Sequence, residues 1–113
     1  NNHRLSRERG LDAVMSRYRL DALVAPTTGP AMLIDLVTGD HYSPDELSPS
    51  TVAAVAGYPH VTVPMGDYHG LPVGLSFIGR AWSEPALIRM AYAYEQSTRH
   101  RHPPTFLATA NVN

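Results

Sequence analysis

AAVAGYPHVTVPMGDYHGLPVGLSFIGRAWSE, residues Ala53 to Glu84, passes from helical to extended patterning and back again within one run. Val61-Thr62-Val63 is β-branched and alternating, so it predicts a strand, which Pro64 ends. Gly66 to Gly70 is turn chemistry, and Val73 to Ile78 is the returning strand of a hairpin. Before the hairpin, Ser48 suits a helix N-cap, Pro49 the first helical position and Gly57 the left-handed stop. Val52, Val55 and Ala56 give that helix a small apolar face. After the hairpin, a helix is expected from Glu84 to Arg99. Ser83 caps it, Glu84 sits at the positive end of its dipole, and Pro85 is tolerated in its first turn. Its buried stripe is Leu87, Met90, Ala91, Tyr94 and Thr98. Arg99 and Arg101 suit its negative end, and Pro103-Pro104 stops it.

Working outward to the N-terminal side, Arg4 to Tyr18 reads as a helix. Leu11, Val14, Met15 and Tyr18 form an apolar stripe, with Arg7, Glu8 and Arg17 facing water. Ala22 to Ala25 is a short apolar run stopped by Pro26, which suits a strand buried on both faces, as in a parallel sheet. Residues 27–49 carry no periodicity and are expected to form a long loop of the lid or binding kind. The fold class expected is α/β. A strand–helix–strand parallel crossover followed by an antiparallel hairpin makes a small mixed sheet, flanked by helices, with at least one bare edge.

Composition narrows what such a chain does. Its 113 residues make one domain, and the net charge of −1 supplies no electrostatic footprint for nucleic acid or an anionic membrane. With no cysteine, a disulfide framework and thiolate metal sites are excluded; this is compatible with any compartment, the cytoplasm being the first expectation. No apolar run approaches the roughly 20 residues of a membrane span. All nine basic residues are arginine, and the chain opens at Asn1 without a methionine, so a longer protein is expected upstream.

Few residues suggest chemistry. Gly66, Gly70, Gly74 and Gly79 match neither GxGxxG nor a phosphate-binding loop, and read as turn and packing glycines. Ser76 is not a nucleophile: an elbow needs glycine two residues later on a strand-to-helix turn, whereas Gly79 follows three later along a strand. The six histidines make no HxxxH or HExxH spacing, so no metal site is expected. His41 beside Asp40 in the long loop is the exception worth following, while Asp45 and Glu46 are ordinary loop acids.

Four segments in order resemble the C-terminal region of the amidase-signature family. They are LDALVAPT (Leu20 to Thr27), AAVAGYPHVTVPMG (Ala53 to Gly66), GLPVGLSFIGRAWSE (Gly70 to Glu84) and LIRMAYAYEQST (Leu87 to Thr98). IDLVTGDHY (Ile34 to Tyr42) and Ala54-Val55-Ala56-Gly57 place the resemblance nearer the peptide-amidase-like hydrolases than the amidotransferase A subunits. The resemblance implies cleavage of non-peptide carboxamide C–N bonds to acid and ammonia by a Ser–cis-Ser–Lys triad, without cofactor.

No catalytic residue carries over, because the triad belongs to a Gly/Ser-rich signature that this chain lacks, and it has no lysine. The resemblance instead implies pocket-wall roles for Thr27, Thr28, Asp40, His41 and Tyr42. The partners it implies are the catalytic N-terminal portion of the same enzyme and a small amide substrate. Two alternatives stand at this point: an amidotransferase A-subunit segment, and a stand-alone module that self-associates through its sheet edge.

Overall fold

A computed structural model describes residues 2–32, 34–39, 48–106 and 108. The first helical region is α1 (Asn2–Leu5), a π-helical segment (Ser6–Leu11) and α2 (Asp12–Arg17), with Gly10 departing from helical angles at φ −105°, ψ −107°. Strand β1 is Leu23–Pro26, helix α3 is Pro49–Ala56, β2 is His60–Tyr68, β3 is Leu71–Ile78 and α4 is Glu84–Thr98.

The sheet order is β1-β3-β2, and β3 pairs antiparallel with both neighbours. The expected crossover is therefore present in direction only. β1 and β2 run parallel to each other, but β3 inserts between them, so no two paired strands are parallel and the sheet is antiparallel rather than mixed. The continuous apolar run of β1 misled that reading. Its burial alternates, Val24 is 60% exposed, and the strand behaves as an edge.

The hairpin is longer than Pro64 suggested. A bulge between Pro64 and Gly66 resets the register and lets β2 continue to Tyr68, paired with Leu71. The connection is then only His69-Gly70, both at positive φ (51° and 76°), the type I′ geometry that suits the twist of a two-residue hairpin.

Period-two alternation sends Val61, Val63, Leu75 and Phe77 to one face, against Leu87, Met90, Ala91 and Tyr94 of α4. This helix buries the stripe expected of it, with Leu87 and Ala91 fully inside. The other face carries Leu23 and Ile78, covered by Leu11, Ala53, Ala56 and Tyr58. Here the apolar stripes are narrower than their spacing implied. In the first region Leu11 and Met15 are buried while Val14 and Tyr18 are exposed; in α3 Ala53 and Ala56 are buried and the two valines are half exposed. A three-strand sheet has room beneath it for one i, i+4 pair or its small-residue equivalent.

Polar ties hold the helices in register. Ser48 caps α3 by accepting from the Ser50 amide, and Gly57 ends it at φ 65°. Arg7, expected to face water, instead donates from Nε to the Ala56 carbonyl and lays its guanidinium over the Tyr58 ring at 5.1 Å. Tyr58 donates its hydroxyl to Asp12 at 2.6 Å, and desolvation, then the carboxylate, pushes the phenol's pKa up. Ser83 is not a side-chain cap: its hydroxyl turns back to the Arg80 carbonyl at 2.8 Å. Among the described residues no helix is long and apolar enough to cross a membrane.

Gly79 shows why that turn needs glycine. A methyl group there would lie 2.0 Å from Ser83 Oγ and 3.1 Å from both Leu87 methyls. Gly79→Ala is predicted to destabilise the fold by about 1–3 kcal/mol, read as a lowered denaturation midpoint, because Leu87 sits in the core and cannot yield. An unchanged midpoint would contradict this packing.

Candidate functional site

The face that α3 covers at its Ile78 end is polar further along. His60, Thr62, Ser76 and Thr27 project from it because each is offset by one residue from the apolar positions facing α4. At the centre is Ser76, fully buried at 0% exposure. Its Oγ lies 2.6 Å from His60 Nε2 and 2.8 Å from Thr27 Oγ1. Thr27 Oγ1 also donates to Thr62 Oγ1 across a longer 3.4 Å, toward the exposed side.

Thr27 is held by its backbone as well. Its amide donates to the Gly74 carbonyl at 2.7 Å, extending the β1–β3 ladder by one bond. Its carbonyl accepts from Ser48 Oγ at 2.8 Å. Ser48 has thus given its proton to Thr27, so the 2.6 Å contact between the two serine hydroxyls is a bond donated by Ser50. The start of α3 and the end of β1 are thereby joined through one residue. Gly74 leaves the space: a methyl group there would lie 2.8 Å from both Thr27 Oγ1 and Thr62 Cγ2.

Of the residues singled out in the sequence, Thr27 is in this cluster. Thr28 is not: it is exposed and donates its hydroxyl to the Gly29 carbonyl at 3.0 Å. Asp40, His41 and Tyr42 lie outside the described residues. His60, Thr62 and Ser48 were not foreseen as site residues. The signal was present in the alternation of His60 and Thr62 with Val61 and Val63, which marks a polar stripe on a strand whose other face is core. Ser76, set aside as a nucleophile, is indeed mid-strand and inaccessible; what it does is join its neighbours. Of the described residues, no three His, Asp or Glu side chains group in a way that could hold a metal ion.

A second feature is separate from this cluster. A cavity of about 510 Å³ lies between the hairpin tip and the segment after α4, lined by Asp67, His69, Leu71, His102 and Phe106 among others. His102 Nε2 meets Asp67 Oδ2 at 2.8 Å across it. The bond to Asp67, with smaller help from the Pro103 carbonyl, raises the His102 pKa above its usual 6.5. Both side chains are substantially exposed, so water screens the pair and it adds little to stability.

The chain is similar to known proteins in sequence and backbone. The family model described as Amidase matches residues 1–88. The structure of a peptide amidase in complex with the competitive inhibitor chymostatin is 56% identical, superposes with a TM-score of 0.84, and is matched over 93% of this chain and 21% of its own. The native peptide amidase from Stenotrophomonas maltophilia is 53% identical with a TM-score of 0.80, over 93% of this chain and 20% of that one. The A-type subunit of a glutamyl-tRNA(Gln) amidotransferase from Methanococcoides burtonii is 44% identical over 82 residues, which is 71% of this chain and 17% of the relative. The chain thus spans about a fifth of the length of the proteins it matches.

Two outcomes are expected. Gly74→Ala should displace Thr27 and Thr62, read as loss of the Thr27 amide's protection from hydrogen exchange; retained protection would contradict the tight fit. Asp67→Asn should lower the His102 titration toward its ordinary range, read by NMR. The linkage has a definite sign: with the folded value raised, the pair's contribution is complete below pH 6.5 and fades as pH rises through the raised value. A titration that does not move in Asp67→Asn would remove Asp67 as the cause.

Proposed function

The chain belongs to the amidase family, and from that premise we propose that it is the C-terminal segment of a peptide-amidase-like hydrolase that releases ammonia from carboxamides. The observation that carries the reading is its likeness to peptide amidases over nearly the whole chain, in both sequence and backbone. The reaction assigned is acyl transfer through a Ser–cis-Ser–Lys triad located outside this chain, which contains no lysine to act as its base. This segment contributes sheet, packing and one wall of the pocket.

The wall is assigned to Thr27, with Thr28, Asp40, His41 and Tyr42 following along the same connection. Thr27 suits the role because its backbone is fixed at both amide and carbonyl while its hydroxyl remains partly open. A polar group so held orients a ligand at little entropic cost. The remainder of the enzyme is assigned as partner. Among the described residues both outer strands present an unpaired edge, and Val24, Leu36 and Trp82 expose large apolar surfaces, Leu36 to 94%. A second copy of the chain at an edge is the alternative occupant.

One other reading has an observation in its favour: the likeness to an amidotransferase supports a role in which ammonia passes to an acylated partner. The hydrolase reading is preferred for the higher identity and wider coverage of its matches.

The test is ammonia release from a C-terminally amidated dipeptide. The complete enzyme should release it without any acyl-acceptor partner, and the isolated 113-residue chain should not. Release that requires such a partner would favour the amidotransferase. Release by the isolated chain would overturn the assignment of chemistry to another segment. In the complete enzyme, Thr27→Val and Asp40→Ala should each raise KM about 3–10-fold with kcat changed less, the pattern of lost ground-state binding. Unchanged kinetics would remove that residue from the wall.

A further inference from the structure

Ser76 Oγ carries one proton and has two close partners, His60 Nε2 at 2.6 Å and Thr27 Oγ1 at 2.8 Å. A hydroxyl can donate only once, so one of these partners must donate to it. The outward contact of Thr27 distinguishes the two arrangements. In that contact Thr27 Oγ1 stands as donor to Thr62 Oγ1 over a long 3.4 Å, while in the 2.8 Å pair either hydroxyl can donate. When Thr27 directs its proton outward, it accepts from Ser76. Ser76 then has no proton left for His60, and two acceptors cannot face each other at 2.6 Å.

We infer that His60 Nε2 carries a proton and that His60, acting through the buried Ser76, is a positioning residue that makes the Thr27 hydroxyl a hydrogen-bond donor for a substrate carbonyl oxygen. The relay runs from the imidazole N–H to Ser76, from Ser76 to Thr27, and from Thr27 outward. Its last bond is the weak one. At 3.4 Å it is longer than the roughly 2.5–3.0 Å of a good O–H···O bond, and Thr62 is exposed, so a carbonyl oxygen arriving from that side offers a better acceptor.

The reverse polarity has different consequences. With Nε2 bare, Ser76 would donate to His60 and Thr27 would donate inward to Ser76. Thr27 would then show only a lone pair outward, which suits an amide N–H and not a carbonyl. The heavy atoms barely differ between the two states, because Thr27 is fixed by its bonds to Gly74 and Ser48. The position of one proton, set at His60, changes what Thr27 can recognise.

The inference rests on Thr27 lining the pocket, and the experiment separates the two claims. In the complete enzyme labelled with 15N-histidine, the His60 signals, assigned by their loss in His60→Gln, should show a proton on Nε2. A bare Nε2 with the proton on Nδ1 overturns the relay, whatever Thr27 does, and the protonation itself is read in the unsubstituted enzyme.

Kinetics with an amidated dipeptide test the consequence. Ser76→Ala and His60→Leu should raise KM about 3–10-fold with kcat within about twofold, and His60→Gln, whose side-chain N–H can replace that of Nε2, should restore most of the loss. A purely structural role would lower the melting temperature and leave the KM of the folded enzyme unchanged. If Thr27→Val raises KM while both relay variants leave it unchanged, the relay is wrong and the pocket wall stands. If Thr27→Val leaves KM unchanged although Nε2 is protonated, the pocket-wall reading fails, and with it the recognition role assigned to His60.

Discussion

Strand β3 is hydrogen-bonded along both edges, and at its middle a serine hydroxyl is wholly removed from water. Leaving a buried hydroxyl unpaired costs about 1–3 kcal/mol, so the fold has to bring partners to Ser76. They come from opposite neighbours: Thr27 from the continuation of β1 and His60 from the start of β2. Satisfying one side chain therefore fixes the start of the long connection and the entry of the hairpin. Ser48 then ties the start of α3 to the same threonine. The apolar packing on the α4 side holds the sheet together, and the polar cluster on the opposite face sets where its connections leave.

Much of this was legible in sequence because the rules involved are local. The cap at Ser48, the stop at Gly57 and the stripe on α4 depend on residues within a few positions of each other, and each is found where it was expected. What was misread depends on tertiary context. Ala22 to Ala25 looks buried on both faces because nothing local tells an apolar edge strand from a central one. Pro64 looked like a strand end because a proline removes a ladder donor, but the bulge after it restores the register. Ser83 has the right residue type for a cap, yet the tight approach to Gly79 turns its hydroxyl to the Arg80 carbonyl.

The site was legible to a smaller degree. Thr27 could be picked out through its resemblance to a family segment, and the structure gives it a physical setting. His60 and Ser76 lie 16 residues apart on different strands, and only the β2–β3 register, with Thr62 opposite Ser76, brings them together. Judged by motif, Ser76 fails as a nucleophile; judged by burial, it becomes the member on which the other two depend. In the proposed reading, a segment that lacks the catalytic triad still shapes recognition, by fixing the orientation and the proton of one hydroxyl.

The most direct test is a crystal structure of the complete enzyme with a substrate-like inhibitor bound, read at one distance: Thr27 Oγ1 to the nearest ligand carbonyl oxygen. The account predicts a hydrogen bond, roughly 2.5–3.0 Å long, with Thr27 still seated on Ser76. A ligand whose carbonyl groups are all held by other residues, with Thr27 out of reach, would contradict it.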